Sequence, residues 1–168
     1  MCGICGIAHK SRSHFVPSSL VESMCQTIIH RGPDDQGVFV ENNIGLGVRR
    51  LSILDVEGGH QPLSNEDSSV WVAYNGEIYN CPELRNELSA RGHIFQSRAD
   101  TEILVHSYEE WGMDFVQKLR GMFAAAVWDR INNRLVLIRD RLGIKPLYYT
   151  LLEDRTLIFG SELKTILV

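Results

Sequence analysis

Phe123-Ala124-Ala125-Ala126-Val127-Trp128, followed after Asn132-Asn133 by Leu135-Val136-Leu137-Ile138, is the stretch that decides the fold. Neither run alternates apolar with polar residues, so each predicts a strand covered on both faces. The Asn-Asn pair can turn a hairpin, which makes the two strands antiparallel neighbours. Such a hairpin needs one layer above it and another below. Working outward, strands are expected at 4–9, at 36–41, and at 44–50 after the Asn42-Asn43 turn. Val70-Trp71-Val72-Ala73-Tyr74 reads as a further strand running into Asn75-Gly76. Ser19-x-x-Glu22 fits a capping box, with Leu20, Met24 and Ile28 on the buried side of a helix to about Ile29. Pro82 opens a second helix and Gly92 ends it. Asp100 is placed to N-cap a third, closed by Gly112, with Ile103, Leu104, Ser107, Tyr108 and Trp111 on one side. Strands joined by hairpins, with helices between others, predict stacked sheets covered by helices. That is an α+β layered domain and not a doubly wound parallel one.

The chain has 168 residues, 44% hydrophobic and 23% charged, with a formal charge of −4. This is enough chain for one domain with a substantial core. No basic footprint exists, so nucleic acid is not an expected partner. No apolar run reaches membrane-spanning length, and the N-terminus lacks the pattern of a signal peptide. Four unevenly spaced cysteines point to a reducing compartment, and the cytoplasm is the expected location.

Chemistry enters with Met1-Cys2-Gly3-Ile4-Cys5-Gly6. If Met1 is trimmed, Cys2 carries a nucleophile and a base on one residue. Its thiol sits near pKa ~8.5 and its α-amine near ~7.7–8.0, so the amine can take the thiol proton. Competing readings are a Cys2-x-x-Cys5 redox dithiol, half of a zinc site, and a buried inert thiol. Asn75-Gly76 is either a turn or an oxyanion hole, with a side-chain NH₂ and a backbone N–H that no Cβ shields. Glu77 would then lie beside that site. Of Arg49 and Arg50, adjacent on a strand, only one can face a given pocket and clamp a carboxylate. Asp100 can receive an ammonium besides capping its helix. Carboxylate plus ammonium describes an α-amino acid, and a thiol attacks a carbonyl, so glutamine is the leading substrate.

The ordered motifs His30-Arg31-Gly32-Pro33-Asp34, Arg50-Leu51-Ser52-Ile53-Leu54-Asp55, Asn75-Gly76-Glu77-Ile78-Tyr79-Asn80, Asp100-Thr101-Glu102, Arg139–Tyr149 and Ser161-Glu162-Leu163-Lys164 resemble the glutaminase half of glutamine-dependent asparagine synthetases. These are class II glutamine amidotransferases of the N-terminal-nucleophile hydrolase fold. The resemblance covers 1–168 and implies an αββα four-layer sandwich of two mainly antiparallel sheets flanked by helices. It implies Cys2 as nucleophile, Asn75 and Gly76 as oxyanion donors, and Arg50 as carboxylate clamp, with Arg49 its outward-facing neighbour. Glu77 and Asp100 would surround the α-amine, and Leu51 to Ile53 would line the pocket; Arg31 lies in a matching loop nearby. No metal or organic cofactor is expected for this half. ATP and Mg are expected in a C-terminal synthetase domain, absent from this chain, that would use the ammonia to amidate aspartate. The alternatives are a different acceptor, or a catalytically idle scaffold that docks a synthetase. Arg139–Pro146 is expected to be structural, or to contact that second domain, and homodimerisation is left open.

Overall fold

The computed structural model describes residues 2–51 and 59–168. In chain order the first half contains β1 (Gly3–Ala8), α1 (Ser18–Thr27), β2 (Asp35–Glu41), β3 (Ile44–Arg50), β4 (Leu63–Ser64) and β5 (Val70–Ile78). The second half contains α2 (Cys81–Ala90), α3 (Thr101–Trp111), α4 (Phe115–Lys118), β6 (Gly121–Asp129), β7 (Arg134–Arg139), β8 (Tyr148–Leu151) and β9 (Leu157–Gly160). Among the described residues the strands form one sheet in the order β2-β3-β1-β9-β8 and another in the order β4-β5-β6-β7. Every paired neighbour is antiparallel. Helix α1 covers the first sheet and α2 with α3 covers the second, giving the αββα sandwich.

The hairpin of β6 and β7 explains why its sequence does not alternate. Ala124, Ala126 and Trp128 enter the core between the sheets, with Ile4, Leu46, Val48 and Phe159. Ala125 and Val127 enter the core beneath the helices, with Leu104 and Tyr108. The two-residue period of a strand therefore sends successive side chains into different cores. Each large aliphatic side chain buried this way contributes about 1.5–3 kcal/mol relative to exposure. No helix among the described residues is long and apolar enough to cross a membrane.

Three local expectations are corrected. Helix α1 starts at Ser18 after Pro17 and has no side-chain cap; the Ser18 hydroxyl instead donates to Glu22 Oε1 at 2.7 Å. Val21, Met24 and Cys25 form its buried side, because β3 leaves room there. A Cβ at Gly45 would lie 2.5 Å from Val21 Cγ2, and one at Gly47 would lie 2.5 Å from Cys25 Sγ. Asp100 stands at the N-terminus of α3 without capping it through its side chain. Asn75-Gly76 is no turn, since β5 runs on to Ile78 with Asn75 opposite Ala124 and Gly76 opposite Phe123.

Candidate active site

Strand parity sorts the cysteines. On β1, Ile4 belongs to the core between the sheets and Cys5 to the core under α1. Cys2, two residues before Ile4, lines a cavity at the end of the inter-sheet layer. Cys5 points the other way, with its sulfur 3.5 Å from that of Cys25. That contact, then burial, pushes the Cys5 thiol well up. A Cys2–Cys5 dithiol or shared metal is therefore excluded by geometry.

Parity also separates the arginines. Ile44, Leu46 and Val48 of β3 face the second sheet, so Arg50 does too, and it lines the cavity. The register places Gly3 opposite Arg49, which brings Arg50 alongside Cys2. Arg49 points towards the helix side yet is only 6% exposed, so it does not face water. Its guanidinium donates to the Gly32 carbonyl at 2.8 Å, Gln36 Oε1 at 3.0 Å and the Pro33 carbonyl at 3.3 Å. It holds the loop that follows Arg31.

On β5, Ala73 faces the first sheet, so the side chain of Asn75 points the same way, towards Cys2. Asn75 is 2% exposed, and its Nδ2 has no hydrogen-bond partner among the described residues. The backbone supplies a second donor. Among the described residues, strand β4 pairs with β5 only at Trp71 and Val72, so beyond them no strand pairs with that edge. Tyr74 N–H leaves the edge to reach Gln61 Oε1 at 2.8 Å, and Ile78 N–H leaves it to reach Asp100 Oδ2 at 3.1 Å. Gly76 lies midway in the same alternation, so its N–H leaves the same edge, into the cavity. A Cβ on Gly76 would come within 2.6 Å of Phe123 Cα, so only glycine lets β6 pack here.

Two carboxylates face these donors. Asp100 Oδ2 also accepts the Tyr74 hydroxyl at 2.6 Å, which directs the carboxylate towards β5 instead of the α3 backbone. Burial and then the neighbouring Asp100 charge raise the Glu77 carboxyl above its usual range, against the pull of Lys145. Two like charges crowded at one rim favour a cation between them. Leu51 places its carbonyl 4.0 Å from Cys2 Sγ. Ile53, expected on the same wall, lies outside the described residues.

The cavity has a volume of about 230 Å³. That is below the ~300–1,000 Å³ usual for drug-sized ligands and suits a smaller polar molecule. Its lining includes Gln61, Tyr74, Thr101, Met122 and Lys145, to none of which the sequence motifs had assigned a place in the pocket. Lys145 arrives through a backbone device. The buried Asp140 carboxylate accepts N–H groups from Phe123 at 3.2 Å, Leu142 at 3.1 Å, Ile144 at 2.9 Å and Lys145 at 3.0 Å. The Asp140…Gly143 spacing signals a tight turn, but not where the turn ends up. Arg31 also approaches Cys2: its Nε donates to the Cys2 carbonyl at 3.0 Å and its Nη1 to Glu162 Oε1 at 3.2 Å. Burial opposes ionisation of Glu162, but hydrogen bonds from His30, Lys164 and Arg31 outweigh it and hold the pKa at about 2.

The glutamine amidotransferase domain family matches residues 1–168. A glutamine-hydrolysing asparagine synthetase of Bacillus subtilis is 46% identical over 170 residues, covering all of this chain and 27% of that protein. One from Oryza sativa is 39% identical over 166 residues, covering 99% of this chain and 28% of its own length. The chain thus spans little more than a quarter of these relatives. Among solved structures, a glutamine phosphoribosylpyrophosphate amidotransferase from B. subtilis superposes with a TM-score of 0.79 at 20% identity. It covers 99% of this chain and 43% of that one, a likeness of fold.

Proposed function

The chain belongs to the glutamine amidotransferase domain family, and from that premise we propose that it hydrolyses glutamine to glutamate and ammonia through a thioester on Cys2. The observation that carries this is the buried Asn75 Nδ2, unpaired among the described residues, beside the edge-facing Gly76 N–H, in the cavity that Cys2 lines. An unsatisfied buried donor costs about 1–3 kcal/mol, a cost that an oxyanion in the transition state would remove.

With Met1 removed, the α-amine of Cys2 takes the thiol proton and the sulfur attacks the carboxamide carbon of glutamine. The resulting oxyanion accepts hydrogen bonds from Asn75 Nδ2 and Gly76 N–H. The intermediate collapses with cleavage of the C–N bond as the ammonium of Cys2 returns its proton to the departing nitrogen, which leaves as ammonia. Water then attacks the γ-glutamyl thioester by the same route, releasing glutamate and restoring the thiol. Arg50 holds the substrate carboxylate, and Glu77 with Asp100 holds its ammonium, with Leu51 on the adjoining wall.

The relatives are glutamine-hydrolysing asparagine synthetases by name, and the chain matches little more than a quarter of their length. On that footing we propose that the ammonia passes to a C-terminal synthetase domain, where ATP and Mg would serve to amidate aspartate, in the cytoplasm. Intact mass should show a mature chain that begins at Cys2, and a glutamate-release assay should then show turnover that Cys2→Ala abolishes. Unchanged turnover in Cys2→Ala, or activity in a chain that keeps Met1, would rule the mechanism out.

A further inference from the structure

We propose that His93, His106 and Glu109 form a separate site for one zinc-like transition-metal ion, apart from the glutamine pocket. His93 lies in the segment between α2 and α3, while His106 and Glu109 stand three residues apart on α3 and so share a face. His93 Nδ1 is 3.2 Å from His106 Nδ1, which is 2.9 Å from Glu109 Oε2; His93 Nδ1 and Glu109 Oε2 are 3.9 Å apart. Tetrahedral ligands at bonds of ~2.0–2.1 Å are separated by about 3.3 Å. The three distances bracket that edge.

The surroundings fix the ring orientation. The outer nitrogen of each imidazole faces another carboxylate: His93 Nε2 lies 3.3 Å from Glu110 Oε2, and His106 Nε2 lies 3.6 Å from Glu102 Oε1. Glu102 is held in turn by the N–H groups of Gln96 at 2.7 Å and Ser97 at 2.8 Å, and Glu110 by Arg91 at 2.7 Å. Glu109 accepts Asn65 Nδ2 at 2.7 Å through its other oxygen. Metal-bound histidines characteristically donate their second ring N–H to a carboxylate.

A proton on His93 Nε2 serves Glu110, and one on His106 Nε2, which is buried without a hydrogen bond among the described residues, faces Glu102 at 3.6 Å. This leaves two Nδ1 lone pairs and a carboxylate oxygen converging on one point. A cation resolves that repulsion. Imidazole ligands select zinc, copper, nickel or iron over magnesium and calcium. Three protein ligands leave a fourth position for water, on the side where His93 and Glu109 are 18% and 26% exposed. Bound metal would pin the 93–97 segment to the helix whose N-terminus carries Asp100, and would raise stability by mass action.

The test is to strip the chain with chelator, add Zn(II), desalt, and measure bound metal and thermal midpoint, with Co(II) absorption as a coordination probe. We expect one equivalent in the wild type and in Cys2→Ser, and a metal-dependent rise in melting temperature. His93→Gln and Glu109→Gln, at the partly exposed positions, should lose both. Glu110→Gln should keep the site but weaken it by ~10–100-fold. Absence of bound metal in the wild type, with a Co(II) spectrum of the aquo ion, would overturn the proposal in favour of a protonated His106 bridging Glu102 and Glu109. Metal retained by His93→Gln and Glu109→Gln but lost in Cys2→Ser would overturn it in favour of thiol binding.

Discussion

Asn75 keeps an amide that is 2% exposed and unpaired among the described residues, a placement that folding alone does not favour. Asn75→Ala should therefore lower kcat for glutamine cleavage by ~10²–10³-fold, the effect of losing one oxyanion donor. Its melting temperature should not fall, because no hydrogen bond of the described fold is broken. A parallel loss of stability and activity would instead make Asn75 structural. Glu162 makes a different prediction. Its pKa of about 2 lies below the ordinary 4.5, so its ion pairs stabilise the fold above 4.5. That contribution is lost as pH falls from 4.5 towards 2. Acid unfolding of Glu162→Gln should be flatter over this range than that of the wild type. The variant should also turn over glutamine more slowly at neutral pH, since Glu162 steadies the Arg31 that holds the Cys2 carbonyl. The Asn75, Arg50 and Glu77 motifs were visible in the sequence as residue types; the Arg31–Glu162 link was not, because its members are 131 positions apart.

At the scale of elements, the uninterrupted apolar runs of β6 and β7 and the strand after the Asn42-Asn43 turn could be read from the chain. A side chain's exposure to one core or two is written into its neighbours. Asn75-Gly76 could be read as a turn or a site, and pairing decided it: nine consecutive partners along β6 hold β5 extended through both residues. The capping box at Ser19 misled for a local reason, since the helix begins one residue earlier behind Pro17. The short β4, β8 and β9 carry too few residues for a period to show. Packing of α1 on β3 supplies the prediction at this level. Gly47→Ala should destabilise the fold by about 1–3 kcal/mol in chemical denaturation, because the new methyl meets the buried sulfurs of Cys25 and Cys5 at 2.5 Å and 2.8 Å. Glutamine turnover at low denaturant should be little changed, as Gly47 is on the side of β3 away from the pocket. Asp140→Asn weakens three backbone hydrogen bonds in the loop that delivers Lys145 and one that ties it to β6, and should raise KM for glutamine more than it lowers the melting temperature.

For the whole molecule, the two sheets stack so that the end of their shared core is walled by residues from β3, β5, β6 and the start of α3, with Cys2 just ahead of β1. Such a cavity forms only when the sandwich is assembled, so glutamine should bind the folded chain alone. In Cys2→Ala, which binds without turnover, glutamine at 100-fold over Kd should add about 2.7 kcal/mol, a rise of about 5–10 °C in melting temperature. No shift at saturating glutamine would argue against the pocket. By itself the sequence determined the layered α+β class, the strand cores, and which residue types could cleave a carboxamide, because periodicity and functional-group chemistry are local properties. The tertiary structure alone decided that Cys2 and Cys5 face opposite ways, that Arg49 is buried in the loop it holds, and that Gly76 lies on the stretch of the β5 edge with which no described strand pairs. It also brought Lys145 to the pocket and His93 to His106. Each of these depends on which strand or helix lies alongside, and that is set by the packing of distant segments.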